Sequence, residues 1–227
     1  MRFMDKDRPS AEGDTAGLEP PAGHEGLAGV DGGDLRLRPL HPADGYLQGR
    51  LLIATPSIGD PRFERTVLLI CAHDEQQAMA LVLNRPLPGL KAPALLRRLG
   101  FAAGAPDAPV FYGGPVERER GYVLHSDDYV ASHSSLEVAP GLMLTDTREV
   151  LDALGDVQRR PRRFLLALGY AGWGAGQLES EIRHGAWLTC EPDEALVFGR
   201  DFDTRWDRAL GKIGVRPDRL SSYAGRA

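Results

Sequence analysis

The sequence predicts an α+β domain with a mixed sheet, and three observations support this fold class. Two apolar runs, TVLLICAH and AMALVLN, are separated only by the polar residues 74–77. This link is too short for a crossover helix, so the runs should pair as an antiparallel hairpin. Elsewhere apolar residues recur at helical spacing, and helix and strand patterns alternate irregularly. Together these features favour a mixed sheet with helices packed on it over a purely parallel sheet.

The individual elements are predicted from periodicity and from turn residues. Besides the hairpin, strand segments are expected at residues 50–54, 110–112, 121–125, about 136–144, 163–170 and 186–189. Helices are expected at residues 92–99, from Asp146 onward, at residues 177–184, and along the face of Trp206, Leu210 and Ile213. Asp146 with Glu149 resembles a capping arrangement, and Val157 falls on the same apolar face as Leu154. The glycine-rich stretch AGWGAG should connect the strand that ends at residue 170 to the helix that begins at Gln177.

Residues 1–44 are predicted to form a disordered tail before a single domain at residues 45–227. The tail has seven Gly and five Pro but no Ile, Trp, Tyr or Cys. Such a composition buries too little apolar surface to order itself. The alternation in DLRLRPL, residues 34–40, is its one indication of a short edge strand. The remaining residues suffice for one hydrophobic core.

Charge and hydropathy exclude several classes of protein. The longest apolar run, residues 67–72, is far shorter than the roughly 20 residues of a membrane-spanning helix. The N-terminus lacks the apolar centre of a secretory signal, so we expect a cytoplasmic protein that neither crosses nor binds a membrane. The formal net charge is −5, but residues 1–44 hold 5 basic and 9 acidic residues, which leaves residues 45–227 nearly neutral. A domain of this charge lacks the basic footprint of a stand-alone nucleic-acid binder.

The common catalytic and metal motifs are also missing from the sequence. Cys71 and Cys190 lie in apolar stretches, which predicts buried thiols and neither a disulfide nor a nucleophile. The six histidines form no metal-ligand spacing, so no metal and no cofactor are expected. His125 precedes Ser126, but neighbours in a strand point to opposite faces and no G-x-S-x-G turn is present. Serine-hydrolase chemistry is therefore not predicted.

Four segments together resemble the YqgE/AlgH family of bacterial proteins. They are GRLLIATPSIGDPRFERTVLLICAHDEQQAMALVLNRPL, VFYGGPVERERGYVLHS, LALGYAGWGAGQLESEI and AWLTCEPDEALVF, and the match runs over residues 48 to about 220. The resemblance implies an α+β fold with a bifurcated, strongly coiled mixed sheet and flanking helices. It implies no defined activity, because members are commonly uncharacterised and only some carry the label of transcriptional regulator. In RHGAW, residues 183–187, this sequence departs from the family, where an Asn often precedes the small residue and the Trp.

The candidate ligand pocket combines residues of these segments with polar groups at predicted strand ends. Amides after a strand or before a helix can hold an anion, although an ordinary turn is the simpler explanation of both glycine clusters. Arg85 could present its guanidinium to a carboxylate or phosphate, or form a surface salt bridge. The predicted set is Glu64, Arg65, His73, Asn84, Arg85, Gly113, Gly114, Trp173, Gly174, Gln177 and Glu179.

We expect a non-enzymatic regulatory or accessory protein that binds a protein partner or a small anionic ligand. An alternative is an enzyme on a phosphorylated or nucleotide-like substrate, with Glu179 or His73 as general base and Arg85 as charge clamp. A third hypothesis, a DNA-binding regulator, would use the densest basic cluster, which is otherwise a solvated loop. That cluster is Arg159, Arg160, Arg162 and Arg163.

Overall fold

The structure is a computed structural model that describes residues 46–101, 104–129 and 135–220. The predicted tail, with its DLRLRPL segment, lies outside these residues. The strands are β1 (Leu51–Ala54), β2 (Val67–His73), β3 (Gln77–Val82), β4 (Pro86–Lys91), β5 (Pro109–Tyr112), β6 (Val116–Ser126), β7 (Ser135–Ala139), β8 (Leu142–Thr145), β9 (Phe164–Gly174) and β10 (Trp187–Cys190). The helices are α1 (Ala92–Arg98), α2 (Arg148–Leu154), α3 (Gln177–Arg183), α4 (Glu194–Phe198) and α5 (Arg205–Lys212).

The strands form one curled sheet that divides at β9. Its order is β10-β1-β2-β3-β9-β6-β8-β7, with β4 and β5 attached through β9. The C-terminal part of β9 pairs with β3, whereas its N-terminal part pairs with β6 and with β5. The β5–β9 pair is parallel and the other pairs are antiparallel. This confirms the predicted α+β class with a mixed, largely antiparallel, bifurcated sheet.

The predicted hairpin is present as β2 and β3. Leu68 lies opposite Val82 and His73 lies opposite Ala78, with a register shift between Ile70 and Ala72. Asp74 closes the turn, because its Oδ1 accepts the backbone N–H groups of Gln76 (2.8 Å) and Gln77 (2.9 Å). An aspartate that bonds its own backbone in this way is a common turn former.

The prediction of a glycine-rich connection after residue 170 is wrong, because β9 continues as a strand to Gly174. The glycines are needed where β9 crosses the segment before β6. A Cβ on Gly169 (φ +74°) would lie 2.5 Å from the carbonyl oxygen of Gly114, and one on Gly113 would lie 2.1 Å from the oxygen of Gly169. Only glycine allows two backbones to approach this closely.

Two details of the predicted second helix are also wrong. Asp146 does not cap α2, since its carboxylate accepts from Arg120 Nη2 at 2.6 Å and Thr147 occupies the N-cap position. Val157 lies beyond the helix and is 72% exposed. The helix ends at Leu154 before a glycine, after which Asp156 starts a turn. The helical periodicity therefore continues in the sequence past the point where the helix stops.

Three clusters of buried residues hold the fold together. One lies inside the curled sheet and takes apolar residues from α4 and α5, a second lies beneath α1 and α2, and a third takes Leu178 from α3. Both cysteines are buried and unbridged, as predicted. Burial raises the pKa of the Cys71 thiol to about 12. No helix in the described ranges is long and apolar enough to cross a membrane.

Candidate functional sites

The structure does not bring the predicted pocket residues together. Arg65 and Asn84 lie at the beginning of β2 and the end of β3, whereas His73 ends β2 and contacts Glu179 of α3. Seven residues of extended strand separate these two positions by about 20 Å. β2 therefore keeps the members of the predicted pocket apart, in two groups.

Near the beginning of β2, Asn84 and Arg85 bind the backbone of the preceding turn. The Asn84 amide donates to the Arg65 carbonyl at 2.9 Å, and its oxygen accepts the Val67 N–H at 2.9 Å. Arg85 donates to the Glu64 carbonyl. Arg65 itself pairs with Asp207 at 3.0 Å. Asn84 and Arg85 thus hold the turn to the hairpin, and Arg65 joins it to α5; all three have a structural role.

His73 lacks a free ring nitrogen. Its ring is 3% exposed, Nδ1 accepts the Leu47 N–H at 3.0 Å, and Nε2 donates to Glu179 at 2.8 Å. A general base needs a nitrogen within hydrogen-bond reach of the proton it removes. With Arg85 at the other end of β2, the geometry gives the enzyme hypothesis no shared cleft.

The predicted anion-binding amides of the glycine clusters are also engaged. Gly113 donates to the Leu168 carbonyl at 2.8 Å, and Gly174 donates to the side-chain oxygen of Gln177 at 3.1 Å. At Gly114 a Cβ would lie 2.0 Å from the carbonyl carbon of Tyr170. Close packing of the segment between β5 and β6 against β9 accounts for Gly113 and Gly114.

The pair formed by His125 and Ser126 forms no catalytic constellation. His125 is buried, Nδ1 donates to the Ser126 carbonyl at 2.9 Å, and Nε2 accepts from the Thr145 hydroxyl at 2.8 Å. The Ser126 hydroxyl instead donates to Asp128. Burial lowers the pKa of His125, which favours the neutral ring. In the residues that the structure describes, no group of three or more His, Cys, Asp or Glu is placed to hold a metal ion.

Trp173 and Gln177 do lie together, around a carboxylate that the sequence analysis missed. Oε2 of Glu181 accepts both indole N–H groups, from Trp173 at 2.9 Å and from Trp187 at 2.7 Å. Oε1 accepts from the Gln177 amide at 3.0 Å. Glu181 follows Gln177 by four residues and so shares its helix face, a spacing that could have identified it.

These groups line a space of about 580 Å³, which we call the tryptophan cavity. Its aromatic wall is edge to face: the ring centroids of Trp173 and Trp187 are 5.9 Å apart, and those of Phe63 and Trp187 are 5.6 Å apart. Other lining residues are Ile58, Gly59, Asp60, Pro61, Arg62, Pro115, Val116, Gly172 and Ala186.

A second space of about 510 Å³, the arginine cavity, lies between the segment before β9 and the region from α4 to α5. It collects most of the basic cluster predicted from sequence and adds two arginines from the C-terminal part of the chain. The arginines that line it are Arg160, Arg162, Arg163, Arg200 and Arg205, and the aromatic residues are Phe111, Phe164, Phe198 and Phe202. Asp107 is the acidic residue of this lining.

Arg205 is the most unusual charge of the arginine cavity. Its side chain is 0% exposed, and its two terminal nitrogens donate to the carbonyls of Leu83 and Gly199. Its Nε is buried without a hydrogen-bond partner. Among the described residues no carboxylate forms an ion pair with it, and burial lowers its pKa to about 10. Arg205 is therefore a buried cation whose hydrogen-bond partners, among the described residues, are two neutral carbonyls.

The other arginines of the cavity differ in how they are paired. Arg162 pairs with Asp128 at 2.9 Å, and Arg163 pairs with Glu194. Within the described ranges, Arg160 donates only to the Gly104 carbonyl, at 3.4 Å, and Arg200 has no ion pair. Arg159 turns away to Asp152 at 3.5 Å and does not line the cavity. Use of this cluster by DNA stays a prediction.

Comparison with known proteins places the chain in a group defined by sequence. The model of the DUF179 family, described as AlgH-like, matches residues 51–218. A UPF0301 protein of Caulobacter vibrioides is 56% identical over 184 residues, which cover 80% of this chain and 94% of that protein. A UPF0301 protein of Rhodopseudomonas palustris is 41% identical over 234 residues, covering 99% of this chain and all of the relative.

Two solved structures share the fold. The solution structure of AlgH from Pseudomonas aeruginosa has a TM-score of 0.66 and 38% identity, and the match covers 83% of this chain and 100% of that one. The crystal structure of protein DIP2367 from Corynebacterium diphtheriae has a TM-score of 0.57 over 77% of this chain and 89% of that one. At 21% identity the latter comparison concerns the fold alone.

Proposed function

The chain belongs to the AlgH-like DUF179 family, and on that premise we propose that it is a cytoplasmic regulatory or accessory protein that binds a small anionic ligand in the arginine cavity. Binding, rather than catalysis, is the proposed activity. The observation that carries the proposal is Arg205, a fully buried guanidinium whose protein partners are two carbonyls.

Charge burial explains why Arg205 supports a ligand site. Removing an ion from water costs several kcal/mol unless a counter-charge and hydrogen bonds compensate for it. Two carbonyls compensate in part, and the nearby Asp201 is paired with Arg208 at 3.7 Å. A carboxylate or phosphate in the cavity would provide the missing counter-charge near Arg205.

The rim supports the same ligand chemistry. Arg160 and Arg200 reach the cavity without an ion-pair partner among the described residues, so both can meet an anion without breaking an existing pair. The phenylalanine rings place apolar surface beside these charges, and a charge interacts more strongly with an anion next to apolar surface than in open water. The ligand class is therefore a small anion, a carboxylate or a phosphate.

The test is thermal unfolding of the chain with inorganic phosphate, acetate and citrate at low ionic strength. A ligand at 100 times its dissociation constant stabilises the protein by about 2.7 kcal/mol, or about 5–10 °C for a chain of this size. We expect Arg200→Gln to reduce the shift and Arg97→Gln to leave it unchanged, since Arg97 is exposed on α1 outside the cavity. Equal losses in both variants, or no concentration-dependent shift with any anion, would refute the proposal.

A further inference from the structure

The tryptophan cavity is negatively charged, in contrast to the arginine cavity. Glu181 accepts three hydrogen bonds, all from neutral donors: two indoles and one amide. Within the described ranges no lysine or arginine forms an ion pair with it. The other two charged residues of the lining, Asp60 and Arg62, neutralise each other in a two-pronged pair at 2.7 and 3.0 Å. The lining therefore retains one net negative charge, on Glu181.

We propose that the tryptophan cavity binds an organic cation, an ammonium or guanidinium group on a short apolar stem. An ionised carboxylate offers about four acceptor positions, and the protein fills three of those on Glu181. The fourth suits a charged N–H donor. The apolar residues Ile58, Pro61 and Val116, which line the same cavity, can enclose the stem.

This site is separate from the arginine cavity. The two linings share no residue, so occupation of one does not require the other. The ring positions are also fixed in advance, because both indoles are hydrogen-bonded to the same oxygen and are at most 2% exposed. A preorganised site loses less entropy when its ligand binds.

The experiment follows the three indole N–H signals of the full chain by two-dimensional NMR during titration with butylammonium and butylguanidinium. The signals of Trp173 and Trp187 should shift saturably. Trp206 serves as the internal reference, because it donates to the Ala54 carbonyl and does not line this cavity. Glu181→Gln keeps an oxygen for the indoles but removes the charge. It should weaken binding about tenfold or more, as expected for a charge-assisted hydrogen bond.

Two controls make the outcome decisive. Glu137→Gln removes the same charge from an exposed position on β7 and should leave binding unchanged. Butan-1-ol has a similar stem without the charge. If butan-1-ol shifts the two signals as strongly as butylammonium, or if no cation gives a saturable shift up to about 10 mM, the proposal is wrong. This comparison needs only the native chain, so it holds even if Glu181→Gln fails to fold.

The source of the cation is distinguished in the same experiment. Lysine and arginine blocked at both ends mimic side chains of a peptide, whereas the butyl cations mimic a free amine or guanidine. Tighter binding of a blocked amino acid identifies a peptide side chain as the ligand, and equal binding identifies a free organic cation.

Discussion

Alanine substitution at Gly169 tests whether the glycines of β9 serve close packing. A Cβ at this position would lie 2.5 Å from the Gly114 oxygen and 2.8 Å from the Val116 oxygen, both of them backbone atoms. The φ angle of +74° adds about 1–2 kcal/mol for an L-residue, and the steric overlap adds about 1–3 kcal/mol. We therefore expect Gly169→Ala to lower the free energy of unfolding by about 2–5 kcal/mol.

Gly174 provides the matched control within the same strand. A Cβ there would meet no atom within 4 Å, so Gly174→Ala should be neutral or stabilise the chain by up to about 1 kcal/mol. Urea unfolding of both variants measures the difference. Similar free energies of unfolding for the two variants would show that the crossing of β9 and the Gly114 segment does not require glycine. Close packing would then no longer explain these glycines, and anion binding would again be the alternative.

Two further predictions concern buried titratable groups. Because burial lowers the pKa of His125, the unfolded chain takes up a proton below about pH 6.5 before the folded one does, and stability should fall as the pH decreases through that range. Urea unfolding at pH 7.5 and 5.5 measures this effect. The difference in free energy of unfolding between the native chain and His125→Gln should be smaller at pH 5.5 than at pH 7.5. An unchanged difference would contradict the lowered pKa of His125. Burial also raises the pKa of the Cys71 thiol to about 12, and it raises the pKa of the Cys190 thiol as well. Neither thiol should react with a thiol reagent at pH 8 in the folded chain, whereas both should react in urea. Rapid labelling without urea would show that the thiols are accessible in the folded chain and would contradict this prediction.

The sequence predicted the elements whose signal is local. The hairpin of β2 and β3 follows from two apolar runs with a short link, and α1 follows from Pro93 in its first turn and Gly100 beyond its end. β4 was missed because its sequence, PLPGLK, has two prolines and a glycine, which usually argue against a strand. Its pairing with β5 is long-range information that composition does not contain.

The candidate sites depend on distances between residues that are far apart in the chain, and the sequence did not predict these distances. The predicted polar residues on β2 and after β3 all lie at strand ends, so the sequence offered no reason to separate them. In the structure, the length of β2 places them in groups about 20 Å apart. Arg205 falls at the first position of α5, where a basic residue is normally exposed. Its burial comes from packing against Leu83, Gly199 and Phe202, which no local pattern predicts.

The position of β9 at the division of the sheet has a consequence for synthesis on the ribosome. The strand pairs with β3, β5 and β6, all of which leave the ribosome before it does. Until residue 174 has emerged, these three strands have exposed edges without their native neighbour, and exposed edges are open to pairing with other chains. Arrested nascent chains that end shortly before and shortly after β9 has emerged should therefore differ sharply in protease resistance, with compact structure gained in one late step.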